Sequence, residues 1–156
     1  MEKKLSLNNF LKIRKKLKKQ KKKLVVTNGC FDILHPGHIK IFKISKYKGD
    51  KLLVLINSDK SVKLNKGYKR PIFNLKERTQ ILDSIKFIDY ILIFNEKTPE
   101  KIISKIQPDV LTKGSEYKKS EIAGNQTMQR LGGKISLIKM LKKYSSTNII
   151  RKIKYL

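Results

Sequence analysis

Short apolar runs alternate along the chain with segments whose apolar residues follow the spacing of a helix. Each run leads into turn-forming or polar residues, which is typical of buried strands. The pattern predicts strands at 24–28, 52–57, 88–94, 110–112 and 135–140. It predicts helices at 37–48, 75–86, from 99 onward, 120–131 and 146–154. Strands that alternate with helices favour a parallel sheet covered on both faces, so we expect an α/β fold with a doubly wound sheet of about five strands.

Capping residues mark the starts of two of these helices. Asn74 and Glu77 have the spacing of a capping box. Thr98 and Pro99 predict an N-cap followed by a first-turn proline. Residues 59–73 are mostly polar and contain a glycine and a proline, so we expect a long polar loop there.

The N-terminal segment differs from the rest of the chain. Residues 6–19 predict an amphipathic helix with Leu7, Phe10, Leu11 and Leu17 on one face and lysines on the other. A lysine run at 18–23 is its solvated end. We therefore expect a helix and basic linker at 1–23, followed by one domain at 24–156.

The formal net charge of +26 raises the possibility of a nucleic-acid partner. Only five of the 38 basic residues are arginines, which leaves 38 − 5 = 33 lysines scattered over the whole chain. Arginine is the better residue for reading phosphates and base edges. The chain also lacks tryptophan, and its basic runs are not interleaved with aromatic residues. We interpret the charge mainly as compositional bias and expect no specific nucleic-acid partner.

The chain has one cysteine, Cys30, and its apolar runs are too short to span a bilayer. Its first residues, Met-Glu-Lys-Lys, are not followed by the long apolar region of a signal peptide. A single cysteine fits a reducing compartment. We therefore expect a cytoplasmic protein without a membrane partner.

Polar and glycine residues cluster where the predicted strands end. In an open parallel sheet, ligands bind beyond the carboxyl ends of the strands, where the strand order reverses. The residues that fall at those ends are 28–38, Ser58 and Asp59, Lys113 and Gly114, and 145–147. The predicted topology therefore gathers them at one edge of the sheet.

The segment after the first strand carries the strongest chemical signal. Gly29 allows the backbone to approach a phosphate closely, because it has no Cβ. His35 and His38 are three residues apart at the expected start of a helix, whose free N–H groups add an anion site. Together these groups can stabilise charge on a phosphoryl group in transfer. The alternative is a structural or metal-bound role for the two histidines. The chain has no further histidine and Cys30 is its only cysteine, so it has too few such ligands for a zinc site.

Several motifs together resemble those of a known family. GCFDILHPGH (29–38) resembles the signature of the HxGH nucleotidyltransferases, in the cytidylyltransferase-like group. The resemblance continues from about residue 24 through NSD (57–59), KGYKRP (66–71), Glu77-Arg78 and SSTNII (145–150). LTKGSEY (111–117) followed by EIAG (121–124) is similar, more narrowly, to the adenylyltransferases of ADP-heptose synthesis. The fold implied is a Rossmann-like sheet of the nucleotidyltransferase type.

The resemblance implies transfer of AMP from ATP to D-glycero-β-D-manno-heptose 1-phosphate, with release of pyrophosphate by direct in-line displacement. It implies His35, His38 and Arg78 as the catalytic residues, with Arg78 on the β- or γ-phosphate. Mg²⁺ would bind mainly through the phosphate oxygens of ATP, without a dedicated protein site. The resemblance also implies a homodimer, and a separate heptose kinase in a pathway to lipopolysaccharide core or another surface glycan.

The implied nucleotide-binding residues come from five segments of the chain. They are Asn28, Gly29, Cys30, Phe31, Asp32, Ser58, Asp59, Lys66, Lys113, Gly114, Ser145, Ser146 and Thr147. For Asp32, orientation of the phosphate-binding residues and capping of the helix both stay open. Arg70, with Lys66, would lie in a loop that covers the site, and Tyr117 would help to shape the pocket.

The chain departs from the family pattern before SSTNII. It reads Met-Leu-Lys-Lys-Tyr at 140–144, where Lys142 or Lys143 could supply charge from a different position. Three alternatives remain open from the sequence. They are a cytidylyltransferase acting on glycerol 3-phosphate or a similar phosphorylated alcohol, a relative that binds nucleotide without turnover, and a basic nucleic-acid-binding module.

Overall fold

A sheet of five parallel strands forms the centre of the protein. The computed structural model describes residues 2–115, 122–139 and 144–155. The strands are β1 (Leu24–Gly29), β2 (Lys51–Asn57), β3 (Tyr90–Phe94), β4 (Val110–Gly114) and β5 (Lys134–Ile138). The helices are α1 (Leu7–Lys19), α2 (Pro36–Lys46), α3 (Asp59–Lys66), α4 (Leu75–Asp83), α5 (Glu100–Ile106), α6 (Asn125–Arg130) and α7 (Ser146–Lys154).

The strand order is β3-β2-β1-β4-β5, and every pairing is parallel. The chain builds outward from β1 through β2 to β3, and then crosses back to place β4 on the other side of β1. Thr27 of β1 is in register with Val54 of β2 and with Thr112 of β4. The strand order reverses between β1 and β4, which is where ligands bind in such sheets. The prediction of a doubly wound five-stranded parallel sheet is confirmed.

Apolar side chains fill both faces of the sheet. Successive residues of a strand point to opposite faces, and β1 shows this directly, because Val25 and Val26 belong to different core clusters. One cluster contains Phe10 and Leu17 of α1, and the other contains Phe42 of α2. The two layers of helices thus exclude water from both sides of the central strands.

Helix α1 packs on the same core as the strands. Its Arg14 is 4% exposed, and its Nε donates to the carbonyl oxygen of Ile106 at 3.1 Å. Arg14 Nη1 also lies 3.0 Å from Asp109 Oδ2. The predicted boundary at residue 23 falls between α1 and β1, which share one hydrophobic core.

The prediction of a loop over 59–73 is wrong for its first half, where α3 forms. Ser58 caps this helix, since its Oγ accepts the backbone N–H of Ser61 at 3.3 Å, and Gly67 with φ 87° ends it. Val62 is fully buried. Polar residues surround Val62 in this segment. The apolar periodicity of α3 is therefore too weak to see in the sequence.

The other predicted helix starts are partly confirmed. The capping box forms as expected, because Glu77 N–H donates to Asn74 Oδ1 at 3.1 Å and Asn74 N–H donates to Glu77 Oε2 at 2.7 Å. Thr98 does not cap α5, since Pro99 occupies the N-cap position with no side-chain cap bond. Helix α6 begins at Asn125, later than predicted, after Gly124 in a left-handed conformation.

Among the residues that the structure describes, no helix is both long enough and apolar enough to cross a membrane.

Candidate functional site

A cavity of about 580 Å³ opens at the carboxyl ends of β1, β2 and β4. Asn28 and Gly29 end β1, Asn57 ends β2, and Lys113 and Gly114 end β4. The cavity therefore lies at the position that the strand order predicts for a ligand. Thirteen of the sequence-predicted site residues line it: Asn28, Gly29, Cys30, Phe31, Asp32, His35, His38, Lys66, Lys113, Gly114, Ser145, Ser146 and Thr147.

The two histidines stack on each other at the start of α2. His35 occupies the N-cap position and Pro36 follows at the first helical position. The ring centroids of His35 and His38 are 3.8 Å apart, with an interplanar angle of 26°. The ring of Phe31 meets His38 edge-on at 5.3 Å. The i, i+3 spacing thus turns both imidazoles toward one volume, as expected from the sequence.

His38 stays neutral in the folded protein at neutral pH. Burial, together with the neighbouring His35, lowers the pKa of His38 from 6.5 to about 3. Its Nδ1 is buried and has no hydrogen-bond partner among the described residues. A buried polar atom without a partner is costly, so the Nδ1 of His38 is suited to bond to a ligand.

The free energy of unfolding should therefore fall as the pH is lowered from 6.5 toward 3. The unfolded chain takes up the His38 proton near its ordinary pKa of 6.5, whereas the folded protein takes it up only near pH 3. In this window the unfolded state binds more protons, which costs at most about 1.4 kcal/mol of stability per pH unit. Urea titrations at pH 7.5 and 4.5 should show a larger loss for the wild type than for His38→Ala. Equal losses would contradict the lowered pKa.

The loop after β1 is fixed by its own aromatic ring. Phe31 has a positive φ of 47°, and its ring packs on Phe42 at 5.1 Å between centroids. A Cβ on Gly29 would lie 3.0 Å from Phe31 Cζ. Glycine is thus favoured here, because a side chain would crowd the Phe31 ring. Burial raises the pKa of the neighbouring Cys30 thiol, although the cations around it oppose the effect.

Asp32 ties the β1 loop to the segment after α3. It is 2% exposed. Its carboxylate accepts the backbone N–H groups of Ile72 and Phe73 at 2.7 and 3.0 Å, and it pairs with the guanidinium of Arg70. Asp32 therefore caps no helix, and the capping interpretation is wrong, since His35 is the N-cap residue of α2. The same contacts bring Arg70 into the cavity lining.

Arg78 lies outside the cavity lining and is only 1% exposed. Its guanidinium donates to the carbonyl oxygens of Phe73 at 3.0 Å and Cys30 at 2.6 Å. It also donates to Asp59 Oδ1 at 2.8 Å. Ser58 and Asp59 likewise lie outside the lining, although both were predicted to bind nucleotide. A phosphate contact by any of the three stays a prediction.

The start of α7 lies close to the start of α2, and residues of both line the cavity. Ser145 caps α7 by accepting the N–H of Asn148 at 3.1 Å. Ser146 Oγ donates to the carbonyl oxygen of Ile33 at 3.2 Å, which ties α7 to the segment before α2. The first N–H groups of both helices therefore face one region, and such groups bind anions.

At the end of β4, the Lys113 ammonium donates to the carbonyl oxygen of Asn28 at 2.9 Å and to its Oδ1 at 3.1 Å. These bonds join the ends of β1 and β4 on the floor of the cavity. Tyr117, Lys142 and Lys143, which the sequence also brought into consideration, lie outside the described residues.

One wall of the cavity was not predicted from the sequence. It is formed by the end of β2, by α3 and by the β3–α5 loop. Its residues are Asn57, Asn65, Lys97, Thr98 and Pro99. Asn57 and the β3–α5 loop both follow the carboxyl end of a strand, which is a usable signal. The chain has 33 lysines (38 basic residues less 5 arginines), however, so the sequence alone does not distinguish Lys97 from the others.

Comparison with known proteins decides the family. A family model described as cytidylyltransferase-like matches residues 26–152. The chain belongs to this family. The resemblance predicted from GCFDILHPGH is thereby confirmed.

Curated relatives include the bifunctional protein HldE from two bacteria. The protein of Hydrogenovibrio crunogenus is 46% identical over 131 residues, which are 84% of this chain and 27% of that protein. The protein of Haemophilus influenzae strain PittEE is 46% identical over 134 residues, 86% of this chain and 28% of that protein. The chain thus spans between a quarter and a third of the length of these relatives.

Solved structures show the same fold. The lipopolysaccharide core biosynthesis protein from Thermoplasma volcanium is 30% identical, with a TM-score of 0.63, and the match covers 77% of this chain and 97% of that one. Pantoate-beta-alanine ligase from Francisella tularensis, in complex with beta-gamma ATP and beta-alanine, is 19% identical, with a TM-score of 0.66 over 99% of this chain and 77% of that one. At this low identity the second likeness supports the fold alone.

Proposed function

We propose that the protein transfers AMP from ATP to D-glycero-β-D-manno-heptose 1-phosphate, giving ADP-heptose and pyrophosphate. The observation that carries the proposal is the His35–His38 stack beside the starts of α2 and α7. It lies where the strand order of the sheet reverses, between β1 and β4. This arrangement suits a phosphoryl group better than an uncharged ligand. The identity with bifunctional protein HldE supports the choice of heptose and ATP.

The reaction is a single in-line displacement. An oxygen of the sugar 1-phosphate attacks the α-phosphorus of ATP, the bond from that phosphorus to the bridging oxygen breaks, and pyrophosphate leaves. No covalent intermediate with the protein forms. Catalysis then consists of positioning and of stabilising the charge on the oxygens around phosphorus. His35 and His38 hold these oxygens and the leaving bridge, and a bound polyanion favours protonation of His38 because it opposes the effect of burial.

The remaining phosphates of ATP lie against the helix starts. Ser145, Ser146 and Thr147 supply hydroxyls and N–H groups at the start of α7. The residues at the end of β4, Lys113 and Gly114, line the cavity, and we place the nucleoside on that side. The position of both segments in the cavity lining supports the nucleotide-binding roles proposed for them.

Mg²⁺ would be held mainly by the phosphates of ATP. Asp32 is the one carboxylate among the described cavity residues, and its oxygens already accept from Arg70, Ile72 and Phe73. No group of three or more His, Cys, Asp or Glu side chains in the described part of the chain could hold a metal ion. A cation carried by phosphate oxygens and water fits these residues, and it would supply charge neutralisation.

A coupled assay tests the proposal. The purified protein is incubated with ATP or CTP, with a phosphorylated acceptor and with pyrophosphatase, and phosphate release is measured. We expect release with ATP and the heptose 1-phosphate. Release only with CTP and glycerol 3-phosphate would contradict the proposal and favour the cytidylyltransferase alternative.

The cellular setting proposed for this reaction follows from the substrate. A separate heptose kinase would supply the sugar 1-phosphate in the cytoplasm, and the product would serve lipopolysaccharide core or another surface glycan. We further propose that the protein acts as a homodimer.

A further inference from the structure

The wall of the cavity beside β2 and β3 has no part in the function proposed so far. Its polar residues come from the end of β2, from α3 and from the loop between β3 and α5. They include Asn57, Asn65 and Lys97. This wall lies on the opposite side of β1 from β4, where the nucleoside is proposed to bind.

Three side chains clamp the β3–α5 loop onto α3. Ser61 is fully buried, and its Oγ donates to the carbonyl oxygen of Glu96 at 2.5 Å. Asn57 Nδ2 donates to that same Oγ at 2.8 Å. Asn65 Nδ2 donates to the carbonyl oxygen of Lys97 at 2.9 Å and also to that of Ser61 at 3.0 Å. The backbone of Lys97 is therefore fixed at the cavity before any ligand arrives.

The cationic side chains of the cavity differ in the hydrogen bonds and ion pairs that they form. Arg70 pairs with Asp32, and Lys113 donates to Asn28. Among the described residues, no hydrogen bond or ion pair is found for the ammonium groups of Lys66 and Lys97. An ammonium at the edge of a cavity is a suitable partner for a phosphate.

In-line displacement places the attacking and leaving oxygens on opposite sides of the α-phosphorus. If the leaving phosphates lie against the starts of α2 and α7, the acceptor has to approach from the other side. Neighbouring strands are about 4.8 Å apart, so the ends of β4 and β2 are separated by roughly 10 Å across β1. The wall formed by Asn57, Asn65 and Lys97 is therefore within the reach of a phosphorylated acceptor.

We propose that Lys97 binds the phosphate of the acceptor substrate, and that Ser61 and Asn65 act as positioning residues for it. The inference rests on the proposed nucleotidyl transfer but not on the identity of the sugar. It assigns recognition of the acceptor to the β3–α5 loop, whereas the helix starts and His35 and His38 serve the nucleotide.

Steady-state kinetics with both substrates varied test this assignment. Lys97→Met should raise KM for the acceptor about 10-fold or more, because it removes one charge-assisted contact. KM for ATP should stay within about twofold of the wild-type value. Lys101→Met is the matched control, because Lys101 is exposed on α5 outside the cavity lining, and both constants should be unchanged. A rise in KM for ATP instead, or an unchanged KM for the acceptor, would overturn the proposal.

Asn65→Ala tests the clamp separately. It should raise KM for the acceptor by a smaller factor in the same direction, and Lys97→Arg should restore part of the affinity lost in Lys97→Met. Equal effects of Asn65→Ala on both KM values would show a merely structural role.

Calorimetry separates this proposal from the proposed function. Sugar phosphates and glycerol 3-phosphate are titrated into the protein saturated with an ATP analogue that cannot react at the α-phosphorus. Weaker binding of any of them to Lys97→Met than to the wild type supports the role of Lys97, even if the heptose proves to be the wrong acceptor. Equal affinity, or no binding to the wild type, refutes it.

Discussion

Replacing His38 with alanine should lower kcat by about 10²- to 10³-fold, the usual effect of removing one preorganised donor to a developing oxyanion. His35→Ala should have a similar effect. The double variant should lose less than the product of the two, because stacked residues that act on one group are not additive. The measurement is phosphate release in the coupled assay with ATP and the heptose 1-phosphate.

At pH 7.5, where His38 is mostly neutral in both the folded and the unfolded chain, stability should change little in His38→Ala. The Nδ1 of His38 has no hydrogen-bond partner among the described residues, so that its removal leaves no protein group newly unpaired there. The substitution also removes an imidazole whose charged form is disfavoured by burial. Lys43→Ala, at an exposed position of the same helix, is the control for both activity and urea unfolding. A His38→Ala protein that is folded and fully active would refute the catalytic role.

The strand–loop–helix unit around these histidines could be predicted from the sequence because its signals are local. The apolar run of β1, the residues 29–38 and the proline at the start of α2 are contiguous. Their spacing alone determines that His35 and His38 share one face. The sheet edge that gathers 145–147 with this segment follows from topology, which the alternation of elements predicts.

Helix α3 could not be predicted in this way, because its stabilisation comes from polar contacts. Of its apolar residues, Val62 is fully buried while Leu64 is 58% exposed. Its start depends on the cap by Ser58 and on the bond between Ser61 and the carbonyl oxygen of Glu96, 35 residues away. Contacts at such separations have no periodicity in the sequence.

The position of Arg78 shows the same limit for a site residue. Its place in a family-like motif suggested a phosphate partner, but a motif does not report burial. The three oxygens that accept its hydrogen bonds belong to the β1 loop, to the start of α3 and to the segment before α4. Cys30 is 48 residues away in sequence. Only the folded chain shows that this guanidinium joins three parts of the cavity's framework.

Arg78→Ala should lower the free energy of unfolding by about 3 kcal/mol, since it removes a buried guanidinium and leaves two carbonyl oxygens and a carboxylate, all partly buried, without their donor. For a chain of this length the melting temperature should fall by about 6–12 °C. Arg78→Lys should recover only part of this loss, because one ammonium cannot reproduce the directions of a guanidinium. Thermal and urea unfolding measure the effect, and Arg151→Ala, at an exposed position of α7, is the control.

The same variants separate a structural role of Arg78 from a phosphate-binding role. Cys30 and Asp32 belong to the loop that carries His35, and Arg78 holds the Cys30 carbonyl oxygen. If Arg78 acts through this framework, activity should fall together with stability, and Arg78→Lys should recover both in parallel. If Arg78 binds the β- or γ-phosphate instead, Arg78→Ala should retain near wild-type stability while KM for ATP rises. A stable Arg78→Ala protein with weakened ATP binding would therefore contradict the structural role that its burial indicates.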